Sequence, residues 1–152
     1  MMHDEHHKSK TFRRDTFSRF AQKYDFKARL EPLDSYGLMP SDKLKEAKNF
    51  RVILTMGEKT MYFNISFPEY RRQHVPPIED VLEYMANELA TYESFGEDPQ
   101  AFATFAKMSL EEAARHVYEA SDAAKTIRVF LGPDRYRELL SISEQRGPTR
   151  PS

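Results

Sequence analysis

A short connector carries a group of side chains that can form hydrogen bonds, ion pairs and stacking contacts with a ligand. It lies between a strand-like run that ends near residue 67 and a pair of prolines at 76 and 77. Its candidate binding side chains are Tyr70, Arg71, Arg72 and His74. Guanidinium groups form planar hydrogen bonds with phosphate or carboxylate, and aromatic rings offer stacking faces. The connector therefore indicates a site for nucleic acid or for an acidic groove of a partner protein. The alternative is a solvated loop whose arginines face water.

Acidic side chains follow this connector on the first turns of a predicted helix. Glu79, Asp80 and Glu83 lie on its polar side, which Glu88 extends toward the C-terminus. A regularly spaced negative surface can imitate a phosphate array and occupy the basic groove of another protein. The alternative is an ordinary amphipathic helix with its polar side in water.

The N-terminus contains a possible metal ligand set. A free amine, two backbone amides and the imidazole of His3 can form a square-planar Cu(II) or Ni(II) site. Residues 1–11 are polar, however, and the sequence predicts a disordered tail there, without the supporting contacts that metal sites have. We therefore expect no metal and no other cofactor.

Residues for catalysis are sparse. The chain has no cysteine, which excludes thiol nucleophiles and thiolate metal sites, and its five glycines are too far apart to form a phosphate loop. Of the five histidines, His74 and His116 alone lie outside the predicted tail. Carboxylates are abundant, but nothing in their spacing separates a tuned catalytic pair from surface charge. The sequence predicts a protein without enzymatic activity.

Charge is distributed unevenly along the 152 residues, although the net charge is only −1. Residues 1–76 carry 15 basic and 10 acidic side chains, whereas residues 77–152 carry 8 and 14. The basic first half could bind nucleic acid directly. The side chains available for such binding are Arg13, Arg14, Arg19, Lys27, Arg29, Arg71 and Arg72. No apolar run is long enough for a membrane span and no secretory signal is present, so we expect a cytoplasmic location without membrane contact.

The first half of the chain is predicted to contain one helix and three strands. A helix begins near Asp15, and the alternating run FKARLEPL predicts a strand that ends at Pro32. The runs FRVILTM and TMYFNISF flank a short connection at Gly57 and predict an antiparallel hairpin. Residues 34–48 are treated as a loop. An exposed aromatic on the far face of the sheet, Tyr62, would favour a dimer, but the strand pattern leaves the oligomeric state open.

The second half is predicted to be helical. One helix runs from Ile78 to Gly96, a second begins near Pro99, and a capping box at residues 109–112 opens the longest helix. Gly132 ends that helix, and a short final helix follows. The apolar side chains of the longest helix are expected to be buried: Leu110, Ala113, Ala114, Val117, Tyr118, Ala124, Ile127 and Phe130. The predicted class is α+β, a small three-stranded antiparallel sheet packed against a helical C-terminal half. A single domain at 12–142 lies between tails at 1–11 and 143–152.

The order of these motifs resembles a widespread set of small proteins of unassigned function from bacteriophages, prophages and other mobile elements. The resemblance covers roughly residues 49–140. Its motifs are FRVILTM with Gly57, Met61 and Phe63, the prolines 76 and 77 with residues 79–82, Tyr92 and Glu93, Phe102 and Phe105, and residues 128–132 with Leu139 and Leu140. Members of this set often carry a Gly-x-Gly-His loop after the second hairpin strand. Here residues 69–74 lack glycine, and His74 is the one matching residue.

The resemblance implies an accessory protein that acts inside a bacterial host cell. We expect it to work without catalysis, by stoichiometric binding to a host protein, with inhibition of that protein as one outcome. The expected contacts are the connector at Tyr70, Arg71, Arg72 and His74 or the acidic residues Glu79, Asp80 and Glu83. Direct nucleic-acid binding by the basic half is the alternative.

Overall fold

The computed structural model describes residues 2–33, 49–66 and 75–144. The elements, in chain order, are α1 (Met2–Tyr24), β1 (Phe26–Pro32), β2 (Asn49–Met56), β3 (Lys59–Ser66), α2 (Ile78–Phe95), α3 (Pro99–Ala106) and α4 (Leu110–Glu144). The chain divides into two compact units, a sheet unit of Phe17–Val81 and a helical unit of Met1–Thr16 with Leu82–Ser152. The α+β class, the three-stranded antiparallel sheet and the helical C-terminal half are confirmed.

The three strands form one antiparallel sheet with β2 in the centre. Val52, Leu54 and the other alternate residues of β2 are buried, as expected for a strand with one face in the core. The β2–β3 hairpin closes through a two-residue turn because Met56 pairs with Lys59. Gly57 has a φ of 60° in this turn, a conformation that glycine adopts without strain. The predicted hairpin is confirmed.

The side chains on the inner face of the sheet are aromatic and aliphatic, and they form the core of the sheet unit. Phe17 and Phe20 from the end of α1 are buried within the same unit. The ring of Phe20 stacks on that of Phe26 with 5.3 Å between centroids. The buried residues of the strands are Phe26, Leu30, Phe50, Val52, Leu54, Met56 and Met61. Burial of apolar side chains of these kinds is the main favourable contribution to the stability of such a core.

The helices of the second half begin and end at the residues that capping rules predict. The backbone amide of Ala101 donates to Asp98 Oδ1 at 3.2 Å, so Asp98 caps α3. The backbone amide of Glu112 donates to Ser109 Oγ at 3.2 Å, the first bond of the predicted capping box of α4. Gly96, with a φ of 59°, follows the last turn of α2.

Helix α4 is interrupted at the predicted glycine. Gly132 has φ 79° and ψ 168°, which are not helical, and Pro133 begins the next helical segment. Arg135 Nε donates to the carbonyl oxygen of Leu131 at 2.7 Å, a side-chain hydrogen bond that spans the kink. The break was predicted, and the structure shows a kink between two continuous helical segments.

Two expectations differ from the structure. Helix α1 begins at Met2 instead of near Asp15, which is consistent with the absence of glycine and proline before residue 32. Leu110 and Tyr118, which were expected to be buried, are 52% and 53% exposed. Leu110 is the first residue of α4, and Tyr118 lies about 100° around the helix from the buried Val117.

Several predictions remain predictions. The loop at 34–48 and most of the C-terminal tail lie outside the described residues. Two further predictions also stay predictions. They are the bounds of a single domain and the packing of the sheet against the helical half.

Candidate functional site

The acidic residues predicted to bind a partner lie together at the start of α2. Glu79 and Asp80 occupy its first turn, where negative charge interacts favourably with the helix dipole. Glu83 lies one turn later, with Oε1 3.7 Å from Nη1 of Arg13. The three carboxylates share one side of the helix by their spacing, but the ion pair with Arg13 partly compensates the charge of Glu83.

The connector lies outside the described residues, so the predictions at Tyr70, Arg71, Arg72 and His74 stay predictions. The same holds for a metal site at His3, because no side chain before residue 13 is described. Among the side chains that the structure does describe, no group of three histidine, aspartate or glutamate residues is arranged to hold a metal ion.

The basic residues proposed for nucleic acid divide between the two units. Arg13 and Arg14 belong to the helical unit, whereas Arg19, Lys27 and Arg29 belong to the sheet unit. Lys27 and Arg29 are exposed, whereas Phe26 and Leu30 at the alternate positions of β1 are buried. They therefore share the outer face of the sheet.

Polar contacts connect α2 with α4 inside the helical unit. The hydroxyl of Tyr136 donates to Glu93 Oε1 at 2.5 Å, and Arg128 lies 3.8 Å from the same oxygen. The guanidinium of Arg128 also lies 5.1 Å from the centre of the Tyr136 ring, within the range of a cation–π contact. Burial, followed by the hydrogen bond to Glu93, raises the pKa of Tyr136. These contacts join residues on both sides of the kink at Gly132 to one carboxylate.

A second carboxylate of α2 lies in a different environment. Glu88 is half-buried, and burial, followed by repulsion from Glu119, raises its pKa to about 7. By contrast, Ser121 Oγ donates to Glu97 Oε1 at 2.8 Å, and this bond, aided by Lys125, lowers the pKa of Glu97. A raised carboxyl pKa is frequent at functional sites and is also found at structural ones.

The most unusual surface of the helical unit is a cluster of three phenylalanines. We define the phenylalanine cluster as Phe95 at the end of α2 with Phe102 and Phe105 of α3. The ring centroid of Phe95 lies 5.2 Å from that of Phe102 and 5.2 Å from that of Phe105. None of the three is fully buried, and Phe105 is 48% exposed. Three packed aromatic rings with an open edge form an apolar surface of the kind that binds other proteins.

The surroundings of the phenylalanine cluster combine apolar and charged groups. Leu110 is 52% exposed, and the exposed ring of His116 lies 6.0 Å from that of Phe102. The exposed charged residues that flank α3 are Glu97, Asp98, Lys107, Glu111, Glu112 and Arg115. Four of these six are acidic, so the segments on either side of α3 carry a net negative charge.

The spacing of Phe102 and Phe105 predicts a helix and does not by itself indicate a site. The spacing of Leu110 predicts a buried side chain, whereas Leu110 is exposed. A usable signal was present: the helix has only eight residues, from Pro99 to Ala106. Two turns offer little inward-facing surface for two large rings in addition to Ala103, which is buried.

The fold and this surface define a small α+β protein with a half-exposed aromatic cluster. Comparisons of the chain with protein-family models, with curated proteins and with solved structures give no match. The resemblance to bacteriophage and mobile-element proteins therefore stays a prediction. Within the described ranges, no helix combines the length and the apolar character needed to cross a membrane.

Proposed function

We propose that this protein acts without catalysis, by stoichiometric binding of another protein at the phenylalanine cluster. The half-exposed ring of Phe105, held against Phe95 at 5.2 Å, is the observation that supports this function most directly. An aromatic side chain that is already packed loses little conformational freedom on binding, and binding hot spots are enriched in such residues.

The chemistry of this surface indicates which side chains a partner protein must present to it. Its apolar centre calls for an aliphatic or aromatic anchor, and the excess of acidic residues in the segments beside α3 favours a partner with basic side chains near that anchor. The acidic start of α2, with Glu79, Asp80 and Glu83, would attract the same kind of partner. In line with the resemblance described above, we propose a bacterial host protein as the partner and the cytoplasm as the location.

The test is affinity purification from a nuclease-treated bacterial lysate, followed by mass spectrometry and calorimetry with the purified partner. The wild type should retain one protein at equal stoichiometry. Phe105→Asp places a charge in the centre of the surface and should weaken binding at least about 30-fold. Phe105→Leu keeps an apolar side chain and should weaken binding less.

Val129→Asp is the matched control, since Val129 is 81% exposed on α4 and lies outside the cluster. This variant should bind like the wild type. Thermal midpoints within a few degrees of the wild type would show that the variants are folded. Capture that is insensitive to Phe105→Asp but lost in Glu79→Lys with Glu83→Lys would move the site to the acidic face. Failure to retain any protein stoichiometrically would contradict the proposed function.

A further inference from the structure

The outer face of the sheet is chemically unlike the surface of the helical unit. We define the outer sheet face as Lys27 and Arg29 of β1, Arg51 and Ile53 of β2, and Tyr62 of β3. Tyr62 is 63% exposed although it lies in the middle of its strand. The strand register places Arg29, Ile53 and Tyr62 in one row across the three strands. An exposed aromatic ring and an exposed cation therefore stand on the same face, on either side of an aliphatic residue.

The orientation of Tyr62 is supported by a neighbouring cation. The guanidinium carbon of Arg51 lies 5.2 Å from the centre of the Tyr62 ring. Arg51 Nη1 also lies 3.6 Å from Glu31 Oε1, an ion pair between adjacent strands. These contacts hold the arginine against the ring, so Tyr62 presents a partly ordered stacking face.

The charge of the outer sheet face is positive. Glu31, on the same face, pairs with Arg51, and among the described residues no carboxylate forms an ion pair with Lys27 or Arg29. Lys27 and Arg29 are two positions apart on β1, or about 6.8 Å along the strand. Arg29 and Tyr62 are two strands apart, or roughly 9.6 Å. The two cations of β1 thus lie along one edge of the face, and the ring lies on β3 at the other edge.

We propose that the outer sheet face binds single-stranded nucleic acid, with one base stacked on Tyr62 and the phosphates along Lys27 and Arg29. Stacking on an aromatic ring requires a base that is free of its partner strand, which favours single strands over a duplex. Two exposed cations about 6.8 Å apart on one strand suit neighbouring phosphates of a nucleic-acid backbone. An acidic peptide could form ion pairs with Lys27 and Arg29, but its carboxylates would not stack on the ring of Tyr62.

The test measures fluorescence anisotropy with a labelled oligothymidylate of about 12 nucleotides, a length typical of such sites. Tyr62→Ala should weaken binding at least about fivefold, the lower limit for loss of one stacked base, whereas Tyr62→Phe keeps the ring and should bind within about twofold of the wild type. Arg29→Ala should make the salt dependence shallower by about 0.7 for one lost phosphate contact.

Arg137→Ala is the matched control, because Arg137 is an exposed arginine of α4 in the helical unit. It changes the net charge equally and should leave the salt dependence unchanged. Three results would overturn the proposal: no binding at about 50 mM salt, equal affinity of wild type and Tyr62→Ala, or a glutamate-rich peptide that binds as tightly as the oligonucleotide. A duplex of the same sequence should bind more weakly. Because Phe105 belongs to the helical unit, failure here leaves the proposed protein binding unaffected.

Discussion

Glu88 shows how the environment of a single residue changes its chemistry. Its side chain is half-buried on α2, and Glu119 adds a second negative charge nearby. Both effects disfavour the carboxylate form, so the pKa of Glu88 rises from 4.5 to about 7. Between these two pH values the native chain holds a proton that the unfolded chain has released.

This difference predicts how stability depends on pH at Glu88. The stabilisation from the bound proton is fully present below pH 4.5 and is lost as the pH rises toward 7. Glu88→Gln resembles the protonated form at every pH. It should therefore be more stable than the wild type at pH 8 by about 1 to 2 kcal/mol, after allowance for solvent screening, and should differ little at pH 4. Thermal unfolding at both pH values measures the difference.

Asp122→Asn provides the control, since Asp122 is an exposed carboxylate of the same helical unit and lies away from both ends of α4. Its effect on the thermal midpoint should be small and similar at both pH values. An equal stabilisation by Glu88→Gln at pH 4 and pH 8 would mean that the substitution acts through packing or helix propensity, and the linkage to a raised pKa would be wrong.

At the scale of the element, the kink in α4 depends on one backbone conformation. Gly132 adopts φ 79° and ψ 168°, a region that is essentially restricted to glycine. Space is not the limitation, because a Cβ at this position would meet nothing closer than the Arg135 side chain at 3.9 Å. The strain of a substitution would therefore come from the backbone alone.

Gly132→Ala should lower the free energy of unfolding by about 1 to 3 kcal/mol. Chemical denaturation with circular dichroism measures this change. Asp122→Ala, at an exposed position of the same helix, should change the free energy of unfolding by less than about 0.5 kcal/mol. If Gly132→Ala were neutral or stabilising, the kink would not depend on the backbone conformation that glycine allows.

The whole molecule combines two units with different surfaces. The sheet unit exposes a ring among cations, whereas the helical unit exposes apolar rings on a helix whose neighbouring segments are mainly acidic. This difference agrees with the uneven distribution of charge, since residues 1–76 carry 15 basic and 10 acidic side chains and residues 77–152 carry 8 and 14. A protein with both activities would bring a protein partner and a nucleic acid together in one complex.

Separate surfaces predict independent binding. Phe105→Asp should leave the affinity for the oligonucleotide within about twofold, and Tyr62→Ala should leave the affinity for the protein partner within the same limit, because substitutions without shared contacts have additive effects. Calorimetric titration of each ligand in the presence and absence of the other measures the coupling. A change greater than about fivefold would show that the two sites depend on each other.

Local interactions made most of the fold predictable. The alternation in β1 and β2, the turn at Gly57, the cap at Ser109 and the break at Gly132 were read from neighbouring residues, and the structure confirms them. The sequence likewise indicated which residues could be basic or acidic contacts. It did not reveal that Lys27 and Arg29 share a face with Tyr62, because that requires the register of three strands.

Tertiary structure alone decided the candidate sites. The hydrogen bond from Tyr136 to Glu93 joins residues 43 positions apart, and the pKa of Glu88 depends on burial and on Glu119 from another helix. The exposure of Phe105 likewise follows from the packing of α3, not from its own spacing. Backbone preferences and helix caps depend on a few neighbouring residues, so short segments of the sequence are enough to predict them. Burial, charge proximity and ring contacts depend on distances in space, which a one-dimensional pattern does not contain.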